Sequence, residues 1–245
     1  LVQFDHVTFQ YPGAEKAVLE GISFSVKRGQ TVAIIGATAS GKSTVAKILL
    51  RFDDIQSGSI RVGGVNIRKL SQKFLRDKIS YVPQTAFLFS GTVRENLKYA
   101  GSDISDEQMI RAAKIAKADG FVSALKEGYD SVVARGGTNF SGGQKQRLCI
   151  ARALAKRADV YVFDDSFSAL DNRTDAMVRR AIKENLHDAA VIIIAQKLTS
   201  ILDADEIIVL DKGRIVGRGT HEELLKTNAI YKEFAVSQQL AEGRS

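Results

Sequence analysis

Eight residues, Gly36-Ala37-Thr38-Ala39-Ser40-Gly41-Lys42-Ser43, constrain this chain more than any other stretch. An apolar run, Val32-Ala33-Ile34-Ile35, precedes them, and a helical pattern, Thr44 to Leu50, follows. Two glycines and a Lys-Ser pair at this spacing, between a strand and a helix, are the pattern of a phosphate-binding loop. Gly36 and Gly41 let the backbone turn tightly and aim its amides inward, where they and the helix N-terminus form an anion site. Thr38, Ala39, Ser40 and Thr44 belong to the same cradle. Lys42 reaches the β- and γ-phosphates, and the Ser43 hydroxyl takes a place on Mg²⁺. A glycine-rich turn before an ordinary helix does not account for both flanks and the full spacing.

The chain has 245 residues, 44% hydrophobic and 26% charged, enough for one large domain or a core plus a subdomain. No apolar run approaches the roughly 18 residues of a membrane span. The start, Leu1-Val2-Gln3-Phe4, is neither a signal peptide nor an initiating methionine, and reads as the edge of a piece cut from a longer chain. The single cysteine, Cys149, excludes an internal disulfide and suits a reducing compartment. It lies in a helical run and reads as a small buried hydrophobe. One cysteine and three scattered histidines give no zinc cluster. The formal net charge is +7, but the basic residues are interleaved with acids and form no block suited to nucleic acid.

Residues 1–30 alternate apolar and polar, with turns at Pro12-Gly13 and Arg28-Gly29, and predict short antiparallel strands. A second strand pair, Ser59 to Val62 and Val65 to Ile67, surrounds Gly63-Gly64. Ile79 to Val82 is a further strand, stopped by Pro83. Helical spacing dominates from about Thr92 to Lys126, broken near Gly101 and Gly120, and another helix runs from Ser141 to about Lys156. Val160 to Phe163 and Val191 to Ile194 are apolar at every position, as buried parallel strands are. Glu206 to Leu210 and Gly213 to Val216 form a hairpin around Asp211-Lys212-Gly213, and the tail from His221 is helical and polar at its end.

The run Val160 to Phe163 ends in Asp164-Asp165. An acid at the C-terminal end of a central parallel strand sits where open α/β sheets bind ligands. There Asp164 holds Mg²⁺ through Ser43 or water, and Asp165 orients or deprotonates an attacking water. Adjacent acids alone are weak evidence, because strand-end Asp pairs also begin turns. Ser141-Gly142-Gly143-Gln144 opens a helix: serine is a preferred N-cap, and two glycines expose amides at a positive dipole end. That makes a second phosphate-binding end or, equally, a plain capped helix.

Asn139-Phe140-Ser141-Gly142-Gly143-Gln144 resembles the signature motif of the ABC ATPase superfamily, and its distance in sequence from Asp164 matches the family's. The resemblance runs from about Val2 to Ser237. Tyr11 resembles the aromatic that stacks on adenine, Gln84 the glutamine that senses Mg²⁺ and the membrane domain, and Ser168-Ala169-Leu170-Asp171 the D-loop. Gln196 falls at the family's H-loop histidine, which contacts the γ-phosphate, and the resemblance counts it with Asp165 and Gln84 among the catalytic residues. Taken singly, Tyr11 also serves as a sheet-edge cover, Gln84 as a loop polar residue and Asp171 as an N-cap. Phe87 to Leu97 and Gly219 to Leu224 look most like type I exporters, whose nucleotide domain follows a six-helix membrane domain.

The resemblance implies an α/β fold over 1–245. It has a RecA-like parallel sheet core (1–84 and 158–245), an N-terminal antiparallel β subdomain and an inserted helical subdomain at about 85–157. It implies ATP and Mg²⁺ as ligands, a cytoplasmic membrane face, a membrane domain fused N-terminally and no nucleic-acid partner. The family usually has Glu where Asp165 stands, His at Gln196 and Gly at Ala39. Shortening Glu to Asp draws the carboxylate back by about 1.5 Å, one C–C bond, and misplacing a catalytic group by about 1 Å costs roughly 10²-fold. Glutamine donates a hydrogen bond but carries no charge. If position 39 needs φ > 0, a Cβ there costs on the order of 1 kcal/mol.

The combination resembles the degenerate half of a heterodimeric exporter. Such a chain binds ATP weakly, turns it over slowly and lends Ser141 to Gln144 in trans to a different partner chain. A competent homodimeric ATPase is the alternative; a non-transport ABC protein is a third, disfavoured by the single nucleotide domain and the exporter-like segments.

Overall fold

The structure, a computed structural model, describes residues 1–242; residues 243–245 of the expected domain and of its polar tail lie outside the described residues. Strands β1 (Val2–Phe9), β2 (Leu19–Val26) and β3 (Thr31–Ile35) lead into helix α1 (Lys42–Leu49). Then come β4 (Ser57–Val62), β5 (Val65–Asn66), α2 (Gln72–Lys78) and β6 (Ile79–Val82). A mostly helical stretch holds β7 (Gly91–Thr92), α3 (Val93–Leu97), α4 (Asp106–Ile115), α5 (Asp119–Ser123), β8 (Val132–Val133) and α6 (Gly142–Ala155). The chain returns through β9 (Val160–Asp164), α7 (Asn172–Asn185), β10 (Ala190–Ala195), β11 (Glu206–Asp211) and β12 (Arg214–Gly219), and ends in α8 (His221–Thr227) and α9 (Ala229–Glu242).

The fold is α/β. Six strands form one sheet in the order β12-β11-β3-β10-β9-β6. The five from β11 to β6 run parallel, and β12 is antiparallel to β11. A separate antiparallel sheet has the order β2-β1-β4-β5. The continuous apolar runs follow from burial on both faces. Val32, Ile34, Val162, Ile192 and Ile194 join one core with α1 and the antiparallel sheet. Their sequence neighbours Ala33, Ile35, Phe163 and Ile193 join another with α6, α7 and α9. Because β10 lies between β3 and β9, the loops after Ile35, Asp164 and Ala195 emerge at one edge of the sheet. Among the described residues, no helix is long and apolar enough to cross a membrane.

Three details differ from the sequence pattern. The helical stretch after Thr92 breaks at Gly101 as expected, but its second break is at Lys117, while Gly120 lies inside α5. Lys117 adopts φ +56°, and the next amide, Ala118, reaches back to the Ala113 carbonyl at 2.8 Å. A lysine thus takes the left-handed C-terminal position where glycine is the usual signal. The strand expected to reach Ile67 stops at Asn66, because the Asn66 side chain accepts from Arg68 N at 3.0 Å and starts a 3₁₀ turn. Helix α2, capped by Ser71, has only Leu75 buried, too little apolar periodicity to read from sequence. The β11–β12 hairpin falls where expected, with Lys212 and Gly213 both at positive φ, as a type I′ turn requires.

Candidate functional site

The loop from Gly36 closes on itself. Lys42 is nearly buried, and its ammonium donates to the Gly36 carbonyl at 2.6 Å, the Ala37 carbonyl at 2.8 Å and Ser40 Oγ at 3.4 Å. Gly41 is the N-cap of α1 at φ +100°, a conformation that glycine adopts freely. Gly36 is required for a different reason than the expected tight turn: a Cβ there would sit 2.2 Å from the Leu210 carbonyl oxygen. Ala37, Thr38 and Ala39 form the exposed rim. Ala39 stands at φ +62°, so position 39 does demand the left-handed region, and an L-residue is strained there.

Across the edge, Ser43 Oγ donates to Asp164 Oδ1 at 3.0 Å and Tyr81 OH donates to Asp164 Oδ2 at 3.2 Å. Burial raises the Asp164 pKa, against the two hydroxyl bonds and the nearby Lys47 and Lys42, which lower it. Burial likewise lowers that of Lys42, opposed by Asp165 and Asp164. The hydroxyl and carboxylate oxygens here are the hard donors Mg²⁺ prefers, and a lysine and loop amides beside them suit a polyphosphate. The residues present therefore fit both ligands.

Asp165 has φ +47°, and its amide donates to the Ile194 carbonyl at 2.7 Å. Its carboxylate accepts from Gln84 Nε2 at 3.3 Å and from the Gln196 amide at 3.4 Å. Burial raises its pKa first; the Gln196 amide opposes this and neighbouring Asp164 adds to it. The sequence-predicted Ser43 bonds Asp164, and Gln84 and the Gln196 backbone bond Asp165, so these residues meet at one sheet edge with Lys42 beside Ser43 in the loop. Tyr11 joins them from the loop after β1: its hydroxyl lies 3.1 Å from Thr44 Oγ1, and its ring meets Phe9 edge-on.

The segment Ser141 to Gln144 lies elsewhere in the bonding pattern. Ser141 Oγ accepts from Gln144 N at 3.2 Å, and Gln144 Oε1 accepts from Ser141 N at 3.0 Å, a capping box. A Cβ on Gly143 would lie 3.3 Å from the Ala169 carbonyl. Asp171 caps α7, accepting from Thr174 N at 2.9 Å and Thr174 Oγ1 at 2.7 Å, and these bonds hold its pKa below the usual carboxylate value. Among the described residues, neither segment bonds to the Gly36 loop.

Sequence reasoning missed three side chains. Tyr81 was visible as part of the strand before Pro83, but its alternation did not reveal the hydroxyl's partner. Gln146 is buried in α6 and holds the Ala169 amide at 2.9 Å. Gln238 on α9 bonds the backbone on both sides of Lys197. Nothing in the local sequence signals the last two. Cys149 is buried in α6, its Sγ 3.4 Å from the Phe87 carbonyl, and burial raises the thiol's pKa.

Comparison with known proteins agrees with this geometry. The family model described as "ABC transporter" matches residues 19–168. An uncharacterized ABC transporter ATP-binding protein of Mycobacterium tuberculosis is 45% identical over 244 residues, 98% of this chain and 42% of that protein. An ATP-dependent lipid A-core flippase of Haemophilus ducreyi is 42% identical over 98% of this chain and 41% of its own length. Among solved structures, a bacterial Atm1-family ABC exporter with ATP bound superposes with a TM-score of 0.92 at 38% identity, covering 97% of this chain and 42% of that one. The chain thus spans about two fifths of the length of these relatives.

Proposed function

The chain belongs to the ABC transporter family, and from that footing we propose that it is the nucleotide-binding domain of an exporter subunit with a degenerate ATP site. In this reading residues 1–84 and 158–245 form the catalytic core and about 85–157 a helical subdomain. Tyr11 would stack on the base, Thr38 to Thr44 would cradle the phosphates, and Ser43, Asp164 and Gln84 would hold Mg²⁺, which would neutralise phosphate charge. Ser141 to Gln144 and Asp171 face a different chain's nucleotide in a head-to-tail dimer. Phe87 and Tyr99 are well exposed beside Phe89, with Phe89 and Tyr99 stacked at 4.4 Å. This aromatic surface suits docking to a membrane domain fused N-terminally, and in this reading the chain works at the cytoplasmic face of a membrane.

One observation carries the degenerate reading. Lys42, Ser43 and Asp164 are assembled for binding, while the short Asp165 carboxylate is drawn back against the Gln84 side chain and the Gln196 amide. Binding without efficient hydrolysis follows, and ATP serves mainly to hold two nucleotide domains together. The test is nucleotide affinity beside phosphate release for the purified chain: micromolar-to-millimolar binding with turnover near background supports it. Robust turnover abolished by Asp165→Asn would sink it. The raised pKa of Asp165 favours the second reading, a competent homodimer with Asp165 as general base. A steep rise of specific activity with protein concentration identifies that case.

A further inference from the structure

We propose that Gln238, far along the chain on α9, is a positioning residue for the loop that carries Gln196; the inference rests on the nucleotide reading above. The Gln238 amide is bonded at both ends. Its Nε2 donates to the Gln196 carbonyl at 2.7 Å, and its Oε1 accepts from the Leu198 amide at 2.6 Å. One side chain thus fills the donor and acceptor that a neighbouring strand would fill, on both sides of Lys197.

Apart from the buried Leu198 side chain and a 3.2 Å bond from Ser200 N to the Lys197 carbonyl, the loop has few other restraints at this point among the described residues. Gln196 and Lys197 are exposed. The Lys197 ammonium reaches the Ser168 carbonyl at 3.3 Å, and the Gln196 amide reaches Asp165 Oδ1 at 3.4 Å, both long bonds. Further on, a buried network takes over: Arg179 donates to the Thr199 carbonyl at 2.9 Å, and Ser200 Oγ to Asp175 Oδ2 at 2.6 Å. Between that anchor and the end of β10, the short bonds to the backbone come from Gln238. The chain of contacts Gln238, Gln196, Asp165, Gln84 then links the C-terminal helix to the acid beside the metal residue.

Helix α9 does not need Gln238 to stay in place. Tyr231 and Ala235 are buried in the core, Tyr231 OH lies 2.8 Å from His221 Nδ1, and Tyr231 N donates to Asn228 at 2.9 Å. The Gln238 amide therefore acts on the loop rather than on the docking of its own helix. In the proposed site Ser43, Asp164 and the Gln196 loop would face the terminal phosphate at this sheet edge, so a misplaced loop would be felt by ATP more than by ADP.

The experiment compares the whole chain with its Gln238→Ala, Gln238→Glu and Tyr231→Phe variants, using Mg-ATP and Mg-ADP as probes and amide hydrogen exchange as a second readout. Gln238→Ala should weaken ATP binding about fivefold, the worth of one ordinary hydrogen bond, leave ADP binding within twofold and speed exchange of the Leu198 amide. Gln238→Glu keeps the acceptor for Leu198 but loses the donor to Gln196. It should restore Leu198 protection without restoring the ATP preference. Tyr231→Phe, which loosens only the helix, should lower Tm and leave the ATP-to-ADP ratio unchanged. The proposal is overturned if the ratio is the same in Gln238→Ala as in the parent chain, or if Tyr231→Phe changes it equally. A parent chain that binds neither nucleotide overturns the reading of the site itself, and this inference with it.

Discussion

Ser43 Oγ donates to Asp164 Oδ1 at 3.0 Å, and so ties the first turn of α1 to the end of β9 across the intervening strand β10. Two segments far apart in sequence are thereby held at the spacing a single cation needs between a hydroxyl and a carboxylate.

Asp164→Asn should therefore separate binding from stability. The neutral amide loses the carboxylate a divalent cation requires, and Mg-dependent nucleotide affinity should fall at least tenfold, the effect of about 1.4 kcal/mol. The same change removes a buried charge whose desolvation is unfavourable, so the melting temperature should hold or rise. Calorimetric titration with Mg-ATP and a thermal melt check both; a large drop in Tm would contradict the account.

The pH dependence has a definite sign. Burial raises the Asp164 pKa above the ordinary Asp value of 3.8. Protons therefore compete with metal at a higher pH than they would for an exposed carboxylate, and Mg-nucleotide affinity should decline on acidification before ordinary carboxylates titrate. For stability, a raised folded-state pKa means that the folded chain binds this proton more readily than the unfolded one. This group's unfavourable contribution is thus present at neutral pH and relieved as pH falls through the raised pKa. With the nucleotide's own titration common to both, Mg-ATP affinity should fall more on acidification in the parent chain than in Asp164→Asn.

Ala39→Gly should stabilise the chain. Releasing φ +62° from a Cβ recovers about 1–2 kcal/mol, and the extra freedom of glycine in the unfolded chain returns about 0.4–1 kcal/mol of that. A net gain of about 0.5–1 kcal/mol should appear as a higher urea midpoint at unchanged slope. A lower midpoint would show that the loop is not strained at this residue.

Asp165→Glu combined with Gln196→His should raise phosphate release about tenfold to 10²-fold over the parent chain, because the carboxylate gains the missing carbon and the loop gains a group able to carry charge. Steady-state phosphate release with and without a partner nucleotide domain measures it. Equal rates in parent and double variant would mean that the short acid is not what limits turnover.

Most of the site's outline was legible because its signals are local. Gly36 to Ser43 and Asp164-Asp165 sit at the ends of apolar runs that can be read residue by residue, and β9 and β10 fall where those runs are. What stayed hidden depends on partners distant in sequence. The need for glycine at 36 comes from the Leu210 carbonyl, and the role of Tyr81 comes from Asp164. Gln238 meets its loop 42 positions away. The break at Lys117 was hidden for another reason: a lysine took a conformation that glycine usually signals.

The sequestered thiol of Cys149 has a practical use. Its sulfur is enclosed in α6, and burial keeps it protonated, so thiol-directed probes react slowly with it. A reporter cysteine placed on the exposed rim at Thr38 or at Lys197 can be labelled against a silent background, with Cys149 left in place. Distance measurements between those two positions then become available in the unaltered core.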